Sequence, residues 1–174
     1  NLESVAIQTE LELPEKKTRL RFSGVLAAQD EPEVQGELSV ESGKLSAVLP
    51  DVAALSDSAL GESVSLKGLL TESQTNASLK NGLLTIAGAP VAASLDLASI
   101  DAPPYKIAAK LDWRNPLDVN KFIRPGNGKE KAESGGFLPE TLSLPVPIIL
   151  DLEATAPAVN YSGRQFETVS AKAS

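Results

Sequence analysis

The chain has no cysteine, no histidine and no methionine, and only 4% of its 174 residues are aromatic. Without Cys or His there is no thiol nucleophile, no His-dependent triad, no zinc site of the usual nitrogen and sulfur type, and no disulfide. Most common hydrolase chemistries are thereby excluded. With no Met there is no native start residue, so the chain reads as a fragment or processed piece of a longer protein, and any signal peptide or anchor would lie upstream of it. Long apolar runs are also missing, since none approaches the ~18–20 residues of a membrane-spanning helix. Lys and Arg together number 16 against 23 Asp and Glu, a net charge of −7. Phosphate backbones are held by clustered Lys and Arg, so this balance disfavours a nucleic-acid partner.

What the chain does contain is Leu, Ala, Val and Ile, arranged with period two. Alternation of apolar and polar residues marks a strand with one dry face and one wet face. Val5, Ile7, Leu11 and Leu13 alternate with Gln8, Glu10 and Glu12. Leu20, Phe22, Gly24 and Leu26 oppose Arg19, Arg21 and Ser23, and Val34, Gly36, Leu38 and Val40 oppose Gln35, Glu37 and Ser39. Leu45, Ala47 and Leu49 continue the pattern after a turn at Ser42-Gly43. Further strands carry Val64, Leu66, Gly68 and Leu70, then Ala77 and Leu79, then Leu84 and Ile86 after Asn81-Gly82, which suits a tight hairpin or a bulge. Val91 to Leu97 and Tyr105 to Trp113 follow, the latter reading as Tyr105, Ile107, Ala109, Leu111 and Trp113 on one face. The spacing predicts successive antiparallel strands joined by short polar turns.

Two stretches break the alternation and read as short α-helices. One runs over 50–61, with Asp51 as N-cap and Gly61 as stop; the other runs over 115–123, capped near Asn115 or Asp118. Residues 124–137 have almost no apolar content and read as a flexible linker. Beyond it Leu142, Leu144, Val146, Ile148, Leu150 and Leu152 alternate strictly. Pro145 and Pro147 on the opposite face remove two ladder donors, which places this strand at a sheet edge. Phe166 to Ala171 make a closing strand after a Ser162-Gly163 turn. A weak repeat links Leu20-x-Phe22-x-Gly24 to Leu84-x-Ile86-x-Gly88 and Glu3-Ser-Val5 to Glu62-Ser-Val64. The expected organisation is therefore two β-rich units, 1–61 and 62–123, each ending in a short helix, then the linker, and a further β-unit starting at 138–174. The expected fold class is mainly β: an antiparallel twisted sheet of repeated β-units forming an open groove or a sandwich-like taco, with two short α-helices.

Candidate chemistry is thin. Asp96, Asp101 and Asp112 are the carboxylates available for general acid and base work, yet Asp96 and Asp112 fall on polar strand faces, where charges ordinarily sit. Ser65 and Lys67 share a strand face, an arrangement that occurs by chance on any wet face. Gly126-Asn-Gly128-Lys129 lacks the upstream Gly and the following Ser or Thr of a phosphate loop. Tyr105 and Trp113 could stack on a sugar or base, but at the ends of a strand they fit rim packing. No catalytic residue, metal site or cofactor is assigned, and the chain is not expected to be an enzyme.

Ser63–Leu70 (SVSLKGLL), 77–88 (ASLKNGLLTIAG), 93–97 (ASLDL), 110–113 (KLDW) and 117–123 (LDVNKFI) together resemble the β-rich periplasmic part of AsmA-like proteins, and the tail from Leu142 to Ala171 looks like that family's later β-unit. The resemblance implies a periplasmic segment of a Gram-negative envelope protein, anchored in the inner membrane only through a segment absent from this chain. It implies a non-catalytic role in outer-membrane biogenesis, moving phospholipid along an apolar groove. The expected lining for an acyl chain is Leu66, Leu70, Leu79, Leu84, Ile86, Leu95, Leu97, Ile107, Leu111, Leu144, Ile148 and Leu150. Envelope proteins are the other expected partners. The alternative is a non-catalytic structural or protein-interaction β-domain of the cell envelope, with the apolar faces closed on each other.

Overall fold

The computed structural model describes residues 4–27, 31–47, 59, 61–122 and 147–174. Ten strands in it form one open sheet: β1 (Ser4–Leu13), β2 (Thr18–Ala27), β3 (Glu33–Ser42), β4 (Val64–Glu72), β5 (Asn76–Ile86), β6 (Ala89–Ala98), β7 (Tyr105–Trp113), β8 (Leu117–Asp118), β9 (Ile148–Tyr161) and β10 (Arg164–Ala173). Their order is β1-β2-β3-β4-β5-β6-β7-β9-β10, with the two-residue β8 beside β9. The mainly β class is as expected. From β1 to β7 each strand pairs antiparallel with the next, the outcome for amphipathic strands joined by tight turns. The sheet runs unbroken across the 61/62 boundary, because β3 pairs with β4 from Val34 opposite Glu72 to Ser42 opposite Val64. The expected linker over 124–137 lies outside the described residues.

Turn chemistry sets the hairpins. Between β5 and β6 the connection is Ala87-Gly88, with φ of 51° and 77°; between β9 and β10 it is Ser162-Gly163, with φ of 50° and 75°. Two consecutive positive φ values give the twist that flanking strands need in a two-residue hairpin. Asn81-Gly82 resolves as a bulge. Asn81 has φ of 52°, and the register steps from Leu79 opposite Leu95 to Gly82 opposite Ala93. Three residues on β5 there span two on β6, and that extra residue keeps odd-numbered Leu79 and even-numbered Leu84 on one face.

Close backbone approach governs a second place. Gly24 and Gly36 are paired directly across β2 and β3. A Cβ on Gly24 would fall 2.6 Å from the Gly36 Cα and 2.7 Å from the Phe22 ring; one on Gly36 would fall 2.5 Å from the Gly24 Cα and 2.7 Å from the same ring. Phe22 thus covers two positions that have no side chains, the way an aromatic neighbour fills in for glycine in a sheet.

Several sequence expectations are corrected. Residues 115–123 do not form an α-helix: the described part is β8 followed by a 3-10 turn, Val119–Lys121, whose cap is Asp118 accepting from the Asn120 N–H at 3.2 Å. The segment is too short for the first α-helical turn to repay its nucleation. Leu45 and Ala47 belong to a 3-10 turn, Leu45–Ala47, and not to a strand. The helix expected over 50–61 is not overturned: only Ala59 and Gly61 of it are among the described residues, and both are helical. The strand expected at an edge, β9, has β7 alone beside Ile148–Asp151 among the described strands, and gains β10 on its other side from Leu152 onward. It is parallel to β7, with Ile107 opposite Leu150, and antiparallel to β10. Pro147 precedes the strand, where its missing N–H costs nothing, and its carbonyl accepts from the Tyr105 N–H at 3.1 Å. Pro145 lies outside the described residues.

Candidate functional site: one apolar face of the sheet

Cross-strand partners point to the same side of a sheet, so the pairings define its two faces. Leu66 is opposite Leu84, Val64 opposite Ile86, and Leu70 opposite Leu79. Leu79 is in turn opposite Leu95, and Ala77 opposite Leu97. Leu97 pairs with Ile107 and Ala93 with Leu111; Tyr105 pairs with Ile148 and Ile107 with Leu150. Eleven of the twelve expected lining residues, Leu66, Leu70, Leu79, Leu84, Ile86, Leu95, Leu97, Ile107, Leu111, Ile148 and Leu150, therefore share one face. Leu144 lies outside the described residues. The same ladder carries the face to the other side of the sheet through Val40, Leu38 and Val34 of β3, Leu20, Phe22 and Leu26 of β2, and Val5, Ile7, Leu11 and Leu13 of β1. Sequence reasoning placed the lining only from β4 onward, although the period-two pattern of β1 to β3 carried the same signal.

This face is incompletely covered. Among the described residues the buried apolar side chains are Leu45, Ala59, Leu79, Val91, Ala156 and Ala158. At the margins the face is open, with Leu11 50% and Leu150 42% exposed. All described strands belong to the one sheet, so among them there is no second sheet to stack against it.

The opposite face is charged and internally compensated. Arg19 Nε donates to Glu12 at 2.6 Å and Arg21 Nε donates to Glu10 at 3.0 Å, and Arg19 also pairs with Glu10 at 3.3 Å. The Glu12 hydrogen bond and charge hold the Arg19 guanidinium above its usual pKa. Farther across, Glu153 stands in register with Lys110 on one side and Lys172 on the other, each ammonium 3.2 Å from a carboxylate oxygen. Hydrogen bonds from Lys110 and Lys172, then their charges, draw the Glu153 pKa below the ordinary carboxylate value.

Of the expected enzymatic candidates, Asp96, Asp112, Ser65 and Lys67 sit on this polar side, and Asp101 lies in the turn between β6 and β7. Asp112 accepts from the Thr155 hydroxyl at 2.7 Å, and Asp96 is opposite Ala108 in the ladder. Ser65 and Lys67 pair with Thr85 and Leu83. Among the described residues these candidates are not brought together as a carboxylate pair or as a nucleophile and base. Among the described residues no group of three or more Asp and Glu could hold a metal ion. A concavity of about 600 Å³ has a mixed wall, with Glu12, Lys17, Arg19 and Glu41 beside Leu13, Pro14 and Val64, and Arg19 there is already committed to Glu12. No family model, curated protein or solved structure matches this chain.

An apolar concavity lies near one margin of the dry face. It measures about 510 Å³ and is bounded by Trp113, Leu117, Val119, Ala154, Thr155, Ala156, Val159, Tyr161, Phe166, Val169 and Ala171. Its size falls within the ordinary range for small-molecule sites. Its wall draws on Ala154 and Ala156 but then on Val159 and Tyr161, so the alternation of β9 inverts between them. The ladder skips the pair Pro157 and Thr168 at that point, and Thr168 has φ of 51°. This irregularity turns Val159 and Phe166, paired with each other, toward the same concavity as Ala156 and Val169. Trp113, expected as rim packing, instead forms part of the wall. Sequence reasoning missed Leu117, Val119, Val159, Phe166 and Val169, and the available signal was the in-strand Pro157.

Proposed function

We propose that the dry face is a binding surface for acyl chains, as the resemblance to AsmA-like proteins implies, and that the chain is a periplasmic segment supporting outer-membrane biogenesis. One observation carries this reading: a row of Leu, Val and Ile side chains extends across the whole sheet without a second layer among the described residues. Such a face gains roughly 0.8 kcal/mol for each methylene removed from water. It has few polar groups to discriminate headgroups, so acyl chains bind by length while phospholipid headgroups remain in water. The groove form of the surface, the inner-membrane anchoring through a segment outside this chain, and the phospholipid cargo belong to this proposal. The concavity at Trp113 and Phe166 is a seat along the face.

The second reading, a non-catalytic structural or interaction domain, is favoured by the two edge strands, β1 and β10, which have no outer neighbour among the described residues. Native mass spectrometry of the purified chain separates the two. The expected result is co-purified lipid, with displacement by a fluorescent fatty acid. A lipid-free chain that also leaves the fatty acid unbound would sink the acyl-chain reading and leave the interaction domain.

A further inference from the structure

The irregularity between β9 and β10 redirects a charge as well as apolar side chains. With Ala154 and Ala156 on the dry face, unbroken alternation would send Tyr161, and with it Phe166 and Arg164 of β10, to the wet side. Because the ladder skips Pro157 and Thr168, Tyr161 and Phe166 line the apolar concavity instead. Arg164 is directly opposite Tyr161, and cross-strand partners leave a sheet on the same side. The Arg164 side chain therefore leaves at the margin of that concavity.

This cation differs from the others of the sheet. By register, every other Lys and Arg of the described strands alternates onto the wet side, where Arg19, Arg21, Lys110 and Lys172 are held by carboxylates. Arg164 is exposed and has no carboxylate within ion-pair distance among the described residues. The acids of the adjoining segments do not face it. Asp118 and Glu167 follow Leu117 and Phe166, which line the concavity, and so alternate away from it. Among the described strands the one acid on the dry side, Glu72, ends β4, away from β9 and β10 in the strand order. A lone cation beside an uncharged apolar wall matches one kind of molecule. Charge complementarity calls for an anion at Arg164, and the wall calls for a hydrocarbon behind that anion. An inorganic anion gains nothing from Trp113 and Phe166, and a neutral hydrocarbon gains nothing from Arg164.

We propose that the concavity and Arg164 form one site for an anionic acyl lipid, with the chain against Trp113 and Phe166 and the carboxylate or phosphate in water beside Arg164. The proposal rests on the acyl-chain reading of the dry face and adds to it a headgroup preference and an orientation of the ligand. Trp113 is the single tryptophan of the chain, so its fluorescence reports this site. The full chain is titrated with decanoate, decanol and decyltrimethylammonium below their micelle concentrations, and with acetate and inorganic phosphate. Decanoate should shift the emission and bind roughly two- to five-fold tighter than decanol at low salt, the range for an exposed ion pair, with the cationic amphiphile weaker still. High salt should remove the difference. Acetate and phosphate should leave the emission unchanged; a response to either that matched decanoate's would mean an anion site without a lipid and would overturn the proposal. Arg164→Gln should bring decanoate to the level of decanol, Arg164→Lys should keep the preference, and Arg164→Glu should reverse it in favour of the cation. Phe166→Ala should weaken all three amphiphiles while the anion stays preferred, with the strand signal in circular dichroism retained. A preference for decanoate that survives Arg164→Gln overturns the headgroup site and leaves acyl-chain binding standing. So does a Trp113 signal silent to every amphiphile that nevertheless raises the melting temperature, because acyl chains then bind elsewhere on the dry face. Silence with no rise in melting temperature removes the acyl-chain reading itself, and this site with it.

Discussion

At the scale of single residues, the polar face is organised around side chains that bridge strands. Glu153 is the clearest case, since Lys110 on β7 and Lys172 on β10 reach it from the two ladders that hold β9 in place. The ion pairs are exposed, and exposed pairs contribute little individually and are screened by salt. Their distinguishing property is dependence on pH. The native carboxylate pKa is lowered, so the native state favours the ionised form relative to the unfolded chain. The resulting stability is fully present above the unfolded carboxylate value and is lost as pH falls through the native value. We predict that Glu153→Gln lowers the melting temperature at pH 7 and that the gap from the unmodified chain closes in acid, and shrinks in high salt at pH 7. A gap that stays constant between pH 7 and pH 3 would show that Glu153 acts through packing instead. Arg19 offers no such window, because its pKa is raised from a value already outside the accessible range.

At the scale of elements, the bulge at Asn81 determines which side chains of β5 reach the dry face. One residue fewer would turn either Leu79 and Ala77 or Leu84 and Ile86 over to the wet side. Asn81 occupies its left-handed conformation cheaply, because its short polar side chain tolerates it. Asn81→Val places a β-branched side chain there and should cost about 1–2 kcal/mol, while Asn81→Gly should be near neutral. Chemical denaturation of the two variants checks this, and equal stability for both would contradict a bulge at this site. The same element shows how far the sequence could be read. Period-two alternation located β1, β2, β3 and β7 and their dry sides, because one wet and one dry face impose that pattern directly. At Asn81-Gly82 the residue types allowed a hairpin or a bulge, and only the pairing partner, Ala93 opposite Gly82, decides between them. The inversion at Pro157 was only half legible: the in-strand proline marks an irregularity, but which side chains it redirects depends on the strand across from it. Pro145 and Pro147 suggested an edge because a missing donor is costly inside a ladder; Pro147 stands before the ladder begins, and Ile148–Asp151 beside it pair with β7 alone among the described strands. The parallel step from β7 to β9 has no local signature, since crossover pairing is a property of two distant segments.

At the scale of the whole molecule, a single sheet with one apolar face presents a physical problem that closed β-domains do not have. In a sandwich, each inner face removes the other from water; here only Leu79, Val91, Ala156 and Ala158 among the described sheet residues are buried apolar side chains. The remaining dry face gains free energy from whatever covers it, whether acyl chains or a neighbouring layer. That gain links ligand to folding, because a ligand that needs the assembled face binds the native state and not the unfolded chain. At a free concentration 100 times its dissociation constant, such a ligand stabilises by about 2.7 kcal/mol. For a chain of this length that corresponds to a rise in melting temperature of roughly 5–11 °C. We predict a rise of this order with a saturated fatty acid below its micelle concentration, growing with chain length, and little rise with a short-chain acid of the same headgroup. Leu95→Asp, in the middle of the dry face, should reduce the rise without altering the response to salt, whereas Lys67→Asp on the wet face should leave it intact. A rise that ignored chain length, or that Lys67→Asp abolished and Leu95→Asp spared, would place binding on the charged face and remove the basis for reading the apolar one as the functional surface.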